Sequence, residues 1–229
     1  TLAEHCYHYM FNGCKNLIEA PDLPATQMAP YCYTFMFENC TSLSKAPVIL
    51  PSTELAEACY RGMFEGCSNL AEAPALPATE LASRCYWEMF YGCVSLKGTP
   101  YLPAFEIKEW SYYQMFEHCS SLNYVEVALP TWSLVGNNTF CWLKDVASAG
   151  KFVCPIELEE KFGESYIPGG WNVVHSNSVN DFLVTVCGIL YSYDGHLFVD
   201  ASEKGVALNT TALAIDALVF IVNPKNPVK

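Results

Sequence analysis

One set of columns recurs five times in the first 130 residues, and nothing else in the chain constrains its fold as tightly. The pair Met-Phe stands at Met10-Phe11, Met36-Phe37, Met63-Phe64, Met89-Phe90 and Met115-Phe116. A cysteine follows each Phe by three residues, at Cys14, Cys40, Cys67, Cys93 and Cys119, and a leucine follows each cysteine by three, at Leu17, Leu43, Leu70, Leu96 and Leu122. Upstream stand Tyr7, Tyr33, Tyr60, Tyr86 and Tyr112, preceded by Cys6, Cys32, Cys59, Cys85 and, in the fifth copy, Ser111. Successive second cysteines are separated by 26, 27, 26 and 26 residues (14, 40, 67, 93, 119). The odd residue falls in Pro47-Val48-Ile49-Leu50-Pro51, one longer than Pro74-Ala75-Leu76-Pro77. Such self-similarity marks stacked repeats, in which each coil buries its apolar face only against its neighbours and loops absorb length changes.

Within a repeat, Leu55, Cys59 and Met63 are spaced i, i+4, i+8, with Ala56, Tyr60 and Phe64 beside them. This predicts an apolar helical face. Thr53 or Thr79 would cap the helix, and Gly13, Gly66, Gly92 and Asn39 suit a left-handed turn at its end. The stretch from Leu70 to Leu76 is too short and proline-flanked for a helix and reads as a short strand. The predicted architecture is therefore an α/β repeat solenoid of leucine-rich-repeat type, with one helix and one short strand per coil. Residues 1–130 would form five coils. Residues 131–175 would cap them, with a helix from Thr139 to Ala149, a closing strand at Lys151–Pro155 and a short helix around Glu157–Phe162. Residues 176–229 read as a small β-rich module. In it Phe182–Val186 and Ile189–Tyr191 face Leu197–Val199 across Tyr193-Asp194-Gly195, and Val206–Leu208 and Ala217–Val222 could add strands.

The string Met63-Phe64-Glu65-Gly66-Cys67-Ser68-Asn69-Leu70 resembles the BspA-like leucine-rich repeats of bacterial surface proteins. The likeness covers residues 1–130, and the Gly-Lys-Phe-Val-Cys-Pro and Ile-Pro-x-Gly-Trp segments extend it through the cap. The repeats here are a few residues longer than the family pattern and carry a Leu-Pro-Ala-Thr linker. The resemblance implies a secreted or surface-anchored, non-enzymatic, adhesive protein. It brings no functional residue with it.

Composition narrows the function classes. A formal charge of −12 argues against tracking nucleic-acid phosphates and against docking on anionic lipid. The longest apolar run, Ala212 to Val222, is about half a membrane span and contains Asp216. The chain opens in the middle of a repeat, and no signal peptide is recognised there. The nine repeat cysteines (Cys6, Cys14, Cys32, Cys40, Cys59, Cys67, Cys85, Cys93 and Cys119) are read as core-filling thiols. Their eight-residue spacing is too wide for a disulfide on one helix and is not metal-ligand spacing. Cys141 and Cys154 lie outside the columns and could form a bridge.

No catalytic residue, metal or cofactor is expected. The five histidines are scattered, the acidic run Glu157, Glu159, Glu160 reads as a solvated face, and no phosphate loop, H-E-x-x-H or G-x-S-x-G occurs. Glycosylation acceptors occur at Asn39, Asn137 and Asn209 and would matter only in a eukaryotic secretory host. A binding surface would be built from the positions that the columns leave free, such as those of Arg61 and Glu65. There the later coils turn aromatic at Trp87, Tyr91, Trp110 and Tyr113, and on the strand side at Tyr101 and Tyr124. Aromatic rings stack on sugars and anchor protein partners. The expected function is extracellular recognition of a host protein or glycan. The rivals are a structural stalk presenting the C-terminal module and, last, an enzyme with its site in the tail.

Overall fold

The computed structural model describes residues 2–132, 138–176, 184–186, 189–191 and 197–198. The chain divides into two compact units, Thr1–His175 and Ser176–Lys229.

The first unit is a stack of coils, and no helix forms among the described residues. The predicted helix-plus-strand leucine-rich-repeat solenoid is therefore corrected. Where helices were expected there are ribbons of overlapping tight turns, at 4–13, 30–39, 57–66, 83–92, 109–118 and, in the cap, 138–145. The expected helices at Thr139–Ala149 and Glu157–Phe162 are likewise absent.

Backbone hydrogen bonding explains the ribbon. In coil three the N–H groups of Cys59, Arg61, Met63, Glu65 and Cys67 donate three residues back, closing local turns at 3.1–3.3 Å. The alternating N–H groups of Ala58, Tyr60, Gly62, Phe64 and Gly66 donate instead to Ser83, Cys85, Trp87, Met89 and Tyr91 of coil four, at 2.8–3.0 Å. An α-helix directs every interior N–H to its own fourth preceding carbonyl and keeps none for a neighbour. The ribbon gives half its donors to itself and half to the next coil.

Positive φ enforces this alternation. It recurs every fourth residue, at Ala58, Gly62 and Gly66 in coil three, at Arg84, Glu88 and Gly92 in coil four, and at Trp110, Gln114 and His118 in coil five. Each non-glycine residue held there costs about 1–3 kcal/mol, offset by the inter-coil bonds. Gly13, Asn39, Gly66 and Gly92 are left-handed as the sequence suggested, with φ of 57–70°, but each ends a turn ribbon rather than a helix.

The extended half of coils one to four makes isolated parallel bridges, such as Ile49 with Ala75 and the run Glu54, Glu80, Glu106. In the first unit the named strands are β1 (Tyr124–Glu126), β2 (Lys151–Pro155) and β3 (Asn172–Ser176), in the order β1-β2-β3. β1 runs parallel to β2, with Val125 opposite Phe152. β2 occupies the expected closing strand.

The repeated columns form the core in coils two to five, whereas in coil one Cys6 and Cys14, expected as core-filling thiols, are exposed, as is Met10, because that coil is covered on one side only. Phe37, Phe64, Phe90 and Phe116 are fully buried. With Phe11 they stack ring on ring at 5.4–5.5 Å. The tyrosine column stacks in the same way at 5.4–6.1 Å and ends on Trp142 of the cap. The second cysteine of each inner coil does more than fill space. Cys40, Cys67, Cys93 and Cys119 each donate their thiol to the carbonyl of Phe11, Phe37, Phe64 and Phe90 in the preceding coil, at 3.0–3.1 Å. Burial pushes the thiol of Cys119 up to about 12, so it stays a protonated donor. At the cap, the indoles of Trp132, Trp142 and Trp171 donate to the carbonyls of Glu159, Tyr166 and Ala147, which satisfies three buried polar groups.

In the second unit, β4 (Val184–Val186), β5 (Ile189–Tyr191) and β6 (Leu197–Phe198) pair antiparallel in that order. The strands expected at Val206–Leu208 and Ala217–Val222, together with Asn137, Cys187, His196 and Asn209, lie outside the described residues. Among the described residues no helix is long and apolar enough to cross a membrane.

Candidate functional site

Turn geometry decides which side chains reach the surface. In coils two to five the Tyr, Met, Phe and Cys of each ribbon are buried in the stack, and most residues between them are partly exposed on an outward face, with Thr34, Gly62 and Glu117 buried. On this outward face equivalent positions of successive coils become neighbours, because each ribbon is hydrogen-bonded to the next.

Three of the aromatic residues singled out in the sequence meet on this face. Trp87 packs edge-on against Trp110 at 4.9 Å and against Tyr113 at 5.4 Å. Tyr113 continues the row to Phe140 at 5.7 Å. Tyr91 lies in an adjoining row, edge-on to His118 at 5.1 Å. Tyr101 and Tyr124 are elsewhere. Tyr101 lines an apolar groove of about 220 Å³ with Ala75, Leu76, Pro77, Pro100 and Pro103. Tyr124, in β1, donates its hydroxyl to Glu126 at 2.6 Å.

The structure adds charged partners to the rings. The Arg61 guanidinium lies 3.7 Å from the Trp87 ring and 5.3 Å from that of Phe35, and it pairs with Glu88 at 3.4 Å. Arg84 sits 5.0 Å from the Trp110 ring and pairs with Glu57 at 2.8 Å, while Tyr31 also donates to Glu57 at 3.0 Å. These cation–π pairs are each worth about 0.5–1 kcal/mol at partly exposed sites. The Arg61 Nε and the Trp87 indole N–H are buried without a hydrogen-bond partner among the described residues.

Beside this row runs an acidic one. Burial, then the carboxylates of Glu88 and Glu38, push the half-buried Glu65 carboxyl up to about 7, and Arg61 opposes the rise. Glu38 is raised as well, chiefly by burial. A raised carboxyl pKa means that the folded state holds the proton more tightly than the unfolded chain does. The group's contribution therefore falls as pH rises from about 4.5 to about 7. Glu65→Gln is expected to stabilise the protein above about pH 7 by on the order of 1 kcal/mol, after allowance for solvent screening. It should also flatten the stability–pH curve between about pH 5 and 7.5, as read by urea unfolding at a series of pH values. An unchanged slope would contradict the placement of Glu65.

Two side-chain clusters had no signal in the sequence. Glu117, His118 and Asp145 bring ligand atoms within 4.8 Å of one another. Glu117 already receives Lys144 at 3.4 Å and a hydrogen bond from Gln114, and His118 Nδ1 faces Asp145 at 3.1 Å. The cluster is an ion-pair network with its own internal cation. At the cap, His175 lies between the Cys154 sulfur (3.7 Å from Nδ1) and Glu160 (2.9 Å from Nε2), which gives that histidine the thiol and carboxylate neighbours the sequence did not predict. Cys154 is fully buried and burial pushes its thiol up to about 11, the reverse of an activated nucleophile. No disulfide joins it to Cys141, whose thiol is buried.

The outward face thus brings aromatic, guanidinium and carboxylate groups of successive coils together. No protein-family model, curated protein or solved structure matches the chain.

Proposed function

We propose that this is a non-catalytic, extracellular binding protein of bacterial surface type, which engages a host protein or glycan through the outward face of its turn ribbons. The observation that carries this reading is the division of labour within each ribbon. Inward positions repeat from coil to coil and are spent on the core. Outward positions differ from coil to coil and gather Trp110, Tyr113 and Phe140 beside Arg61, Arg84, Glu65 and Glu88. Aromatic and arginine side chains dominate the energetics of protein recognition, and ring faces also take sugars. The resemblance to BspA-like repeats supports the location and the adhesive role.

The test is the Trp110→Ala/Tyr113→Ala double variant against whatever ligand the native chain captures on a protein and glycan array. Trp87 is left in place because it stacks on Arg61. At least a tenfold loss of affinity is expected, which is about 1.4 kcal/mol and modest for a hot spot. Undiminished affinity would remove the face from consideration.

A structural role remains the second reading, favoured by the way these rings pack against one another between coils. Under it, the array ligand would bind a 176–229 fragment and not a 1–175 fragment.

A further inference from the structure

The rings of the outward face spend their faces on one another. Phe35 is stacked on Tyr9 at 5.0 Å on one side and has the Arg61 guanidinium on the other. Arg61 also covers Trp87 at 3.7 Å, Arg84 lies over Trp110 at 5.0 Å, and Phe140 lies against Tyr113 at 5.7 Å with a tilt of 32°. In each case the covering side chain comes from the adjoining coil. Phe35, Trp87, Trp110 and Tyr113 are accordingly only partly exposed. A sugar ring stacks on an open aromatic face, and what these rings leave open is largely their rims. An aromatic rim carries partial positive charge and packs well against apolar groups, thioethers and other ring faces.

Charge on the same face is unbalanced. Arg61, Arg84 and Lys144 are each already paired with a carboxylate. Glu38, Glu65 and Glu109 join no ion pair among the described residues. Glu65 sits at the centre of the surplus. Glu38 of the preceding coil and Glu88 of the next act on it, and Arg61, on its own ribbon, opposes them. Tyr9 and Tyr91 are the other titratable groups within its field. Such a surface repels acidic glycans and attracts cations.

We propose that the outward face takes a protein segment carrying lysine or arginine beside apolar side chains, and not a glycan. This rests on that face being the binding surface. The apolar groups of the segment would pack on the rims of Trp110, Tyr113 and Phe140. Its cation would seat at Glu65, where Glu38 and Glu88 add their charge. With the Glu65 carboxyl at about 7, the carboxylate is present above that pH, and affinity falls as pH drops through it.

Three matched sets of short synthetic peptides test this with the full chain. All share the same leucine, methionine and tyrosine positions, and the remaining positions carry lysine and arginine, glutamine, or glutamate. Neutral and sialylated oligosaccharides are the other probes. The basic set should bind at least about tenfold more tightly than the glutamine set, and the acidic set and the oligosaccharides should not bind. The Trp110→Ala/Tyr113→Ala double variant should weaken capture of the basic set by at least about tenfold. Glu65→Gln should weaken it about threefold to fivefold above about pH 7, although that substitution stabilises the fold there. It should also remove the loss of affinity between about pH 7.5 and 6. An oligosaccharide captured by the native chain and lost by the double variant would overturn this proposal and keep the face as the binding surface. Basic peptides that the double variant binds as well as the native chain does would remove the face itself. Equal binding of the basic and glutamine sets, no binding by any set, or an unchanged affinity and pH profile in Glu65→Gln would each overturn the proposal.

Discussion

Phe64→Ala is expected to cost about 3–5 kcal/mol of folding stability, among the largest single losses available in this chain. Phe64 is fully buried in the middle of the stack, between the rings of Phe37 and Phe90, each 5.5 Å away. Truncation leaves a ring-sized hole that neither neighbour can close, because both are held by their own hydrogen-bonded ribbons. The corresponding drop in Tm is roughly 10 °C for a chain of this size. Phe11→Ala is the comparison. Phe11 is only partly buried and stacks on one side, against Phe37, so its loss should be no more than about half as large. Thermal and denaturant unfolding of the two variants would measure the difference. Equal losses would mean that the end coil is covered as fully as the middle ones. A stack whose coils contact only their neighbours also unfolds from its ends, so Phe11→Ala should broaden the transition while Phe64→Ala shifts it as a whole.

The repeat was legible in the sequence because column spacing is a direct record of which residues stack. The identity of the ribbon was not. Cys59, Met63 and Cys67 recur at intervals of four, as do Tyr60 and Phe64. An α-helix turns about 100° per residue, so a strict four-residue spacing drifts by about 40° at each step. A helix over this distance tolerates that drift, and the pattern therefore fits either structure. The discriminating signal was Gly62 and Gly66, two glycines four apart at the outward positions, where φ is positive. The other coils blur it by placing Phe35, Glu88 or Gln114 in the same conformation, which local propensity disfavours. Tertiary hydrogen bonds override propensity here.

The cysteine columns of coils two to five were legible as core, whereas Cys6 and Cys14, read in the same way, are exposed; the hydrogen bonds of the column were not legible. The acceptor of Cys67 is the carbonyl of Phe37, thirty residues away, and nothing in the local sequence indicates it. The candidate surface was half legible. Aromatic enrichment pointed to Trp87, Trp110 and Tyr113, while the Arg61 stack with Phe35 and Trp87 depends on three successive coils. Tyr101 and Tyr124 were grouped with those rings on residue type alone, and the coil geometry separates them.

Gly62→Ala is the second substitution with a large expected effect, and it links the ribbon to the candidate surface. Gly62 has φ of +55° and Gly13 has φ of +67°, so an alanine at either position meets the same backbone penalty of about 1–2 kcal/mol. Their surroundings differ. A Cβ at Gly13 meets nothing within 4 Å, whereas one at Gly62 would fall on the ring edge of Phe35, at Cε1 and Cδ1. That ring is already held between Tyr9, stacked at 5.0 Å, and the Arg61 guanidinium, so it must leave its place to make room. Gly13→Ala should therefore lose about 1–2 kcal/mol, and Gly62→Ala about 2–4 kcal/mol. The second variant should also weaken ligand capture by the outward face, and the first should not. Urea unfolding of both, run beside the array assay, separates the two contributions. Equal destabilisation would mean that Phe35 moves aside freely, and the Phe35–Arg61–Trp87 stack would then be too loose to hold Arg61 in place for recognition.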